Sequence, residues 1–172
     1  MGPHTADDDL LLDALQARAL RYFVDAAHPR TGLVADSTMP GTACSIAAVG
    51  MALGATPVAV ERGLLARAEA AERTLRVLRF LRDSPQGEAA DAAGHRGFYY
   101  HFLDMETGRR AWDCELSTID TALFVAGALA ISSYFNGEGE EDREIRAIVD
   151  ALYRRVDWRW ALDEGLTLTH GW

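Results

Sequence analysis

Apolar positions along the chain follow two patterns. From Asp9 to Ala27 they recur at helical spacing, as Leu12, Leu15, Ala19, Phe23 and Ala26, behind an acidic run (Asp7, Asp8, Asp9) that suits a helix N-terminus. Ala66 to Arg82 sets Leu75, Leu78 and Leu81 among Glu69, Glu72, Arg73, Arg76 and Arg79. Glu140 to Val156 opens on Glu140, Glu141 and Asp142, then places Ile145, Ile148, Val149 and Leu152 on one side. Each of these three predicts a helix with one wet face. The second pattern is apolar nearly all round: "SIAAVGMALGA" over Ser45 to Ala55, and "TALFVAGALAI" within Ser117 to Phe135. Such helices are normally enclosed, and the small residues Ala47, Ala48, Gly50, Ala126, Gly127 and Ala128 would let neighbours approach closely.

The order is therefore wet, buried, wet, buried, wet. A plain four-helix bundle would put one stripe on every helix, which the two apolar segments contradict. Hairpins that alternate an outer with an inner helix predict an all-α fold of two layers, an α/α toroid or a piece of one. The two inner helices should be the most buried and run parallel, with Cys44 and Cys114, as free thiols, at the same end near the acids. Between helices, Gly97 to Leu103 ("GFYYHFL") alternates as a strand does, and "DMETGRR" supplies a turn before Asp113. A second hairpin is predicted in "WRWALDEGLTLTHGW", and Pro29 to Thr42 reads as an irregular loop. Residues 1–8 read as a tail and 9–172 as one domain.

Charge narrows the partners. The formal net charge is -9, and every basic residue is arginine. No basic stripe is present to grip nucleic acid or an anionic membrane. No apolar run reaches the roughly 18 residues that a membrane-spanning helix needs, and "MGPHTADDDLLLDALQ" lacks the basic leader and apolar core of a signal peptide. The compartment is left open. Cys44 and Cys114 form no short-spaced pair of the zinc or redox kind. G-x-S-x-G, P-loop and H-E-x-x-H motifs are absent, which removes support for serine hydrolase, phosphoryl-transfer and zincin chemistry.

The candidate chemistry lies in "RRAWDCELSTIDTALFVAG", Arg109 to Gly127. Ser117 and Asp120 fit the Ser-x-x-acid capping box, which would make Asp120 a helix cap. Asp113 and Glu115 precede the cap in extended chain, where residues two apart point to one side. They could share a concavity, whereas a solvated acidic loop would place them equally well. Acids at a helix N-terminus gain from its dipole, which favours the carboxylate and suits a base or a hydroxyl ligand better than a general acid. Trp112, Phe98, Tyr99, Tyr100 and Phe102 lie nearby, with Trp158, Trp160 and Trp172 further on. Aromatic faces beside carboxylates suit a pyranose, although core packing accounts for most such rings. His101 and His170, on strands, could bond a substrate hydroxyl; Asp36 is a further loop acid. Arg109 and Arg110 read as turn residues in solvent.

The stretches "HPRTGLVADS", "CSIAAVGMAL", "GFYYHFLDMETGRRAWDCELSTIDTALFVAGAL" and "ALYRRVDWRWAL" resemble the bacterial glycoamylase-like domain family. That family includes endo-β-1,2-glucanases and a region of cyclic β-1,2-glucan synthases. The resemblance implies an (α/α)6 toroid, an inverting glycosidase acting on a β-glucan, and no metal or other cofactor. It carries Trp112, Asp113, Glu115 and Asp120 over as site residues, with Asp113, Glu115 and Asp120 catalytic. Asp36, Trp112, Tyr100, His101 and Trp172 are then the substrate-binding candidates. Relatives continue past the "GW" motif into a segment with a further glutamate, so the resemblance implies a ring cut short at Trp172, inactive alone and open to self-association at its edge. A non-catalytic carbohydrate-binding or accessory fragment is the competing reading. An unrelated metal-dependent toroid ranks last, since neither cysteine has a partner at ligand spacing.

Overall fold

The computed structural model describes residues 5–172. Its five helices are α1 (Ala6–Asp25), α2 (Ile46–Glu61), α3 (Arg67–Asp83), α4 (Thr118–Tyr134) and α5 (Glu140–Arg155). Between them run seven short strands: β1 (Cys44–Ser45), β2 (Gly94–His95), β3 (Phe98–Tyr100), β4 (Phe102–Leu103), β5 (Leu116–Ser117), β6 (Leu162–Asp163) and β7 (Thr167–Leu168). Helix α1 begins inside the expected tail, because Thr5 and Asp8 form a reciprocal capping box there. The rest of that tail, residues 1–4, lies outside the described residues. Helix α2 runs past the expected stop at Ala55 and through Pro57. Thr56 Oγ1 donates to the Ala52 carbonyl at 2.8 Å there, within a turn that the proline deprives of a backbone donor.

The two apolar helices form the inner layer. Gly50 packs against the backbone of Leu123 and Phe124, and Gly54 faces Gly127, so α2 and α4 run parallel in backbone contact. Helices α3 and α5 are also parallel and are joined by Arg67–Asp142 (2.7 Å) and Arg79–Glu144 ion pairs. They cover the inner pair as the second members of the α2/α3 and α4/α5 hairpins, and α1 packs on α2. The core is filled by Val49, Leu53, Leu78, Leu81, Phe98, Tyr99, Phe124, Ile131 and Ile145. This is part of an α/α toroid.

Two helix faces differ from expectation. Helix α4 is not enclosed all round: Ile119 (50%), Leu123 (38%) and Leu129 (42%) make an exposed stripe beside Met51 (53%) of α2, because no described element lies over it. In α1, Leu12, Leu15 and Ala19 are exposed, and packing begins only at Leu20. Asp13 there pairs with Arg62, just past the end of α2, so the first turns of α1 reach the limit of the helix that would cover them.

The expected strand over Gly97 to Leu103 divides in two. β3 pairs with β2 and β5, whereas β4 pairs with β1, and His101 is the joint between them. The C-terminal hairpin is present as β6 and β7.

Candidate active site

His101 links the starts of the two inner helices through its backbone. Its carbonyl accepts from Ile46 N, the first residue of α2, and its N–H donates to the Glu115 carbonyl just before β5 and α4. The register continues from Tyr99↔Ser117 and Tyr100↔Leu116, so His101 stands opposite Glu115 with both side chains on one face. His101 Nδ1 lies 2.9 Å from Glu115 Oε1 and 3.8 Å from Asp120 Oδ2.

Asp120 occupies the first turn of α4. Ser117 Oγ accepts from Asp120 N at 3.1 Å and donates to Asp120 Oδ2 at 2.5 Å. Half of the expected capping box is therefore present, and the carboxylate turns to the serine hydroxyl and His101. Its side chain is 13% exposed, against 37% for Glu115. The Glu115 backbone N–H holds its own carboxyl below the usual carboxylate range; His101, and more weakly His170, act in the same direction against partial burial. A ligand atom from each of His101, Glu115 and Asp120 lies within 4.8 Å of the others. Such a set could hold a cation, but here the imidazole and carboxylate are engaged with each other.

The Phe102 ring stacks on His101 at 3.8 Å and 15°, and Trp112 meets Phe102 edge-on at 5.1 Å. Trp112 is 65% exposed and has a left-handed backbone, φ 55°. Asp113 follows it in solvent, with no bonded partner among the described residues and outside the cluster. The pairing expected of Asp113 with Glu115 is thus replaced by Glu115 with Asp120. Asp113 lies in the turn at 112–113 and not in the extended chain on which that pairing rested.

Tyr100 and Trp172 do not join His101 either. Strand alternation turns Tyr100 to the opposite face, with Leu116, and Trp172 exchanges both backbone hydrogen bonds with Leu116. There Trp172 packs on Trp160 at 4.0 Å, and Phe98 packs on Trp158 at 5.2 Å. Asp36 lies in the loop beyond Val34, its N–H bonded to the Ala43 carbonyl, one strand away from β1. A half-open cavity of about 220 Å³ between α1, α2 and α3 is lined by none of these residues.

The thiols are free, as expected, and both are buried. Cys44 pairs with Leu103, and Cys114 Sγ accepts from the neighbouring Phe102 N, which puts both at the acid end. Arg110 is the residue the sequence placed wrongly: it is half-buried, with its guanidinium 4.5 Å from the Tyr100 ring centroid and bonded to the Cys114 carbonyl. Nothing in "ETGRRAW" separates it from Arg109, which does stay in solvent opposite Asp91.

No protein-family model matches the chain. Over 160 residues it is 32% identical to an exo-β-1,2-glucooligosaccharide sophorohydrolase of Parabacteroides distasonis, covering 89% of this chain and 21% of that protein. A crystal structure of a β-1,2-glucanase from Parabacteroides distasonis matches 99% of this chain with TM-score 0.84 and 27% identity, over 24% of its own length. A glucoamylase-like protein of Bacteroides uniformis matches with TM-score 0.83 and 28% identity, over 99% of this chain and 41% of that one. The chain has its relatives among glucoamylase-like and β-1,2-glucanase proteins. It spans well under half the length of each relative.

Proposed function

We propose that this chain supplies the acid-bearing wall of a glycoside hydrolase domain acting on a β-linked glucan, of the β-1,2 class. The observation that carries the reading is the His101–Glu115–Asp120 cluster at the common N-terminal end of α2 and α4, in a chain 32% identical to a sophorohydrolase. An ionised Glu115 oriented by His101 is suited to accept a proton from water or to bind a sugar hydroxyl. It is unsuited to protonate a leaving group, since its pKa is lowered rather than raised.

Separation assigns the roles further. An inverting enzyme keeps its two carboxyls roughly 6.5–9.5 Å apart to admit water. Glu115 and Asp120 bring a carboxylate oxygen each within 4.8 Å. In an inverting mechanism they would therefore act together on one side of the glycosidic bond, with the general acid supplied by a residue outside this pair. Trp112 and Asp113 would border the sugar. The lowered carboxyl also favours a second reading, in which the chain binds glucan without turning it over.

The test is calorimetric titration of the chain with β-1,2-linked glucooligosaccharides, run beside reducing-end release from β-1,2-glucan. Binding that Glu115→Gln weakens about tenfold, the equivalent of roughly 1.4 kcal/mol, without enzyme-like turnover, is the expected result. Turnover by the chain that Glu115→Gln abolishes would refute the assignment of the acid elsewhere. No binding of any β-glucan would refute the reading as a whole.

A further inference from the structure

The loop from Arg110 to Cys114 is closed by the Arg110 side chain, and the Cys114 thiol is bonded to the Phe102 backbone beside it. Arg110 Nε donates to the Cys114 carbonyl at 2.7 Å, and Nη2 donates to the same oxygen. The guanidinium plane is packed over Tyr100, 4.5 Å from the ring centroid. Between the two ends of this clamp are Ala111, Trp112 and Asp113. The Arg110 backbone is itself fixed, donating to the Ala92 carbonyl at 3.2 Å, while Ala111 N donates to Phe102 O at 2.9 Å. Hence the start of the loop is anchored to β4, and its end is drawn back by the arginine.

Trp112, at the apex, has φ 55°. A bulky side chain occupies that region rarely, and only where its surroundings over-determine it. Burial does not do so here, since the residue is 65% exposed and its indole meets one ring edge-on, Phe102. What remains are the ties at Cys114, two residues further along: the clamp on its carbonyl and the bonds of its thiol to the Phe102 backbone. The result is an indole held on its edge with most of its surface free, one ring away from His101 and Glu115. A flat aromatic face of that kind matches the apolar C–H face of a pyranose, while the adjacent carboxylate can accept from its hydroxyls.

We propose that Arg110 is a positioning residue, whose clamp on Cys114 fixes Trp112 as the stacking platform for a glucosyl unit beside Glu115. The proposal rests on the β-glucan reading for its ligand, and on geometry alone for the clamp. A lysine cannot replace the arginine, because it lacks the flat two-donor fork that both packs on Tyr100 and bonds the carbonyl.

The experiment uses the full chain labelled with 5-fluorotryptophan. Its four tryptophans give separate fluorine resonances, assigned by single Trp→Phe variants. In Arg110→Ala the Trp112 resonance should sharpen and move toward its unfolded position while that of Trp158, packed on Phe98, stays in place. Affinity for a β-1,2-linked glucotriose should fall about tenfold, and Trp112→Ala should lower it by the same factor. Arg110→Lys provides the same readouts if the alanine variant does not fold. An unchanged Trp112 resonance would overturn the clamp. A displaced resonance with unchanged affinity would overturn the platform. A wild-type chain that binds no β-1,2-linked sugar would overturn the glucan reading and the platform with it, and the resonances would still decide the clamp.

Discussion

Gly127→Ala offers the sharpest check of the inner layer. A Cβ at position 127 would stand 1.9 Å from the Gly50 carbonyl oxygen and 2.9 Å from Gly50 Cα. Ordinary van der Waals contact begins near 3.4 Å, so the gap is short by about 1.5 Å, and the obstructing atoms are backbone that cannot turn aside. Alanine in a helix interior is worth about 1 kcal/mol over glycine. Forcing two packed helices apart costs about 3 kcal/mol, the upper part of the overpacking range. The net is a loss of about 2 kcal/mol, or roughly 4–8 °C in Tm for a domain of this size. Gly54→Ala is the control on the facing helix, α2. Its nearest neighbour would be Gly127 Cα at 3.9 Å, an ordinary contact, so the propensity gain survives and Tm should rise by about 2–4 °C. Urea and thermal unfolding of the two variants measure the contrast. Stabilisation by Gly127→Ala, or equal changes in both, would show that α2 and α4 do not touch through their backbones.

Asp142 is almost fully buried and accepts from Arg67 at 2.7 Å and from Gly137 N at 2.8 Å. Those bonds, the arginine first, hold its carboxyl below the usual range. Asp142→Asn should cost about 2 kcal/mol at neutral pH, reduced from a fully buried pair because Arg67 is half exposed. A depressed folded pKa contributes stability that is complete above the unfolded value near 3.9 and lost as pH falls through the folded value. The urea curves of wild type and variant should therefore draw together as pH falls below about 4; a gap that had not narrowed at all by about pH 2.5 would contradict the ion pair. Burial pushes the Cys44 thiol far up, and its residue is 0% exposed. In Cys114→Ala a disulfide reagent should thus label Cys44 only as fast as the protein unfolds, and prompt labelling in native buffer would refute its burial.

The helix order and the contrast between inner and outer faces were legible because they depend on local periodicity, which survives in a single chain. The small residues of the apolar segments likewise announced a close approach, and Gly50 and Gly127 make it. What the sequence could not convey was register. The pairing of His101 with Glu115 depends on β3 meeting β5 at Tyr99↔Ser117, a relation between residues far apart along the chain. The same register turns Tyr100 away from a site where proximity in sequence had put it. Arg110 escaped for a related reason: its partner, the Cys114 carbonyl, is a backbone atom, and no side-chain pattern reveals a backbone acceptor. The exposed Leu12 and Leu15 of α1 show the opposite limit, since periodicity marks the face that could be buried but not whether a neighbour extends far enough to cover it.

The cluster's position follows from the way the chain leads into its inner helices. Each is preceded by a two-residue strand, β1 before α2 and β5 before α4. β4 pairs with the first and β3 with the second, so the six residues from Phe98 to Leu103 tie the two helix starts together. His101 is where that tie changes sheets, and it has one backbone bond to each side, to Ile46 and to Glu115. Parallel helices in contact at Gly50 and Gly127 bring their N-termini level, and level N-termini present two sets of backbone donors and two positive dipole ends to one place. Carboxylates are favoured there as anions, and at Glu115 its own backbone N–H is the largest contribution to the lowered carboxyl. The two acids are thus placed by backbone pairing, which side-chain substitutions perturb little, whereas the aromatic that would face a sugar is carried on a loop with a left-handed apex, held at Cys114 by Arg110 and by the thiol's bonds to Phe102. On the proposed glucan reading, a site divided in this way could change which glycan it accepts through residues 110–114 without disturbing the acids.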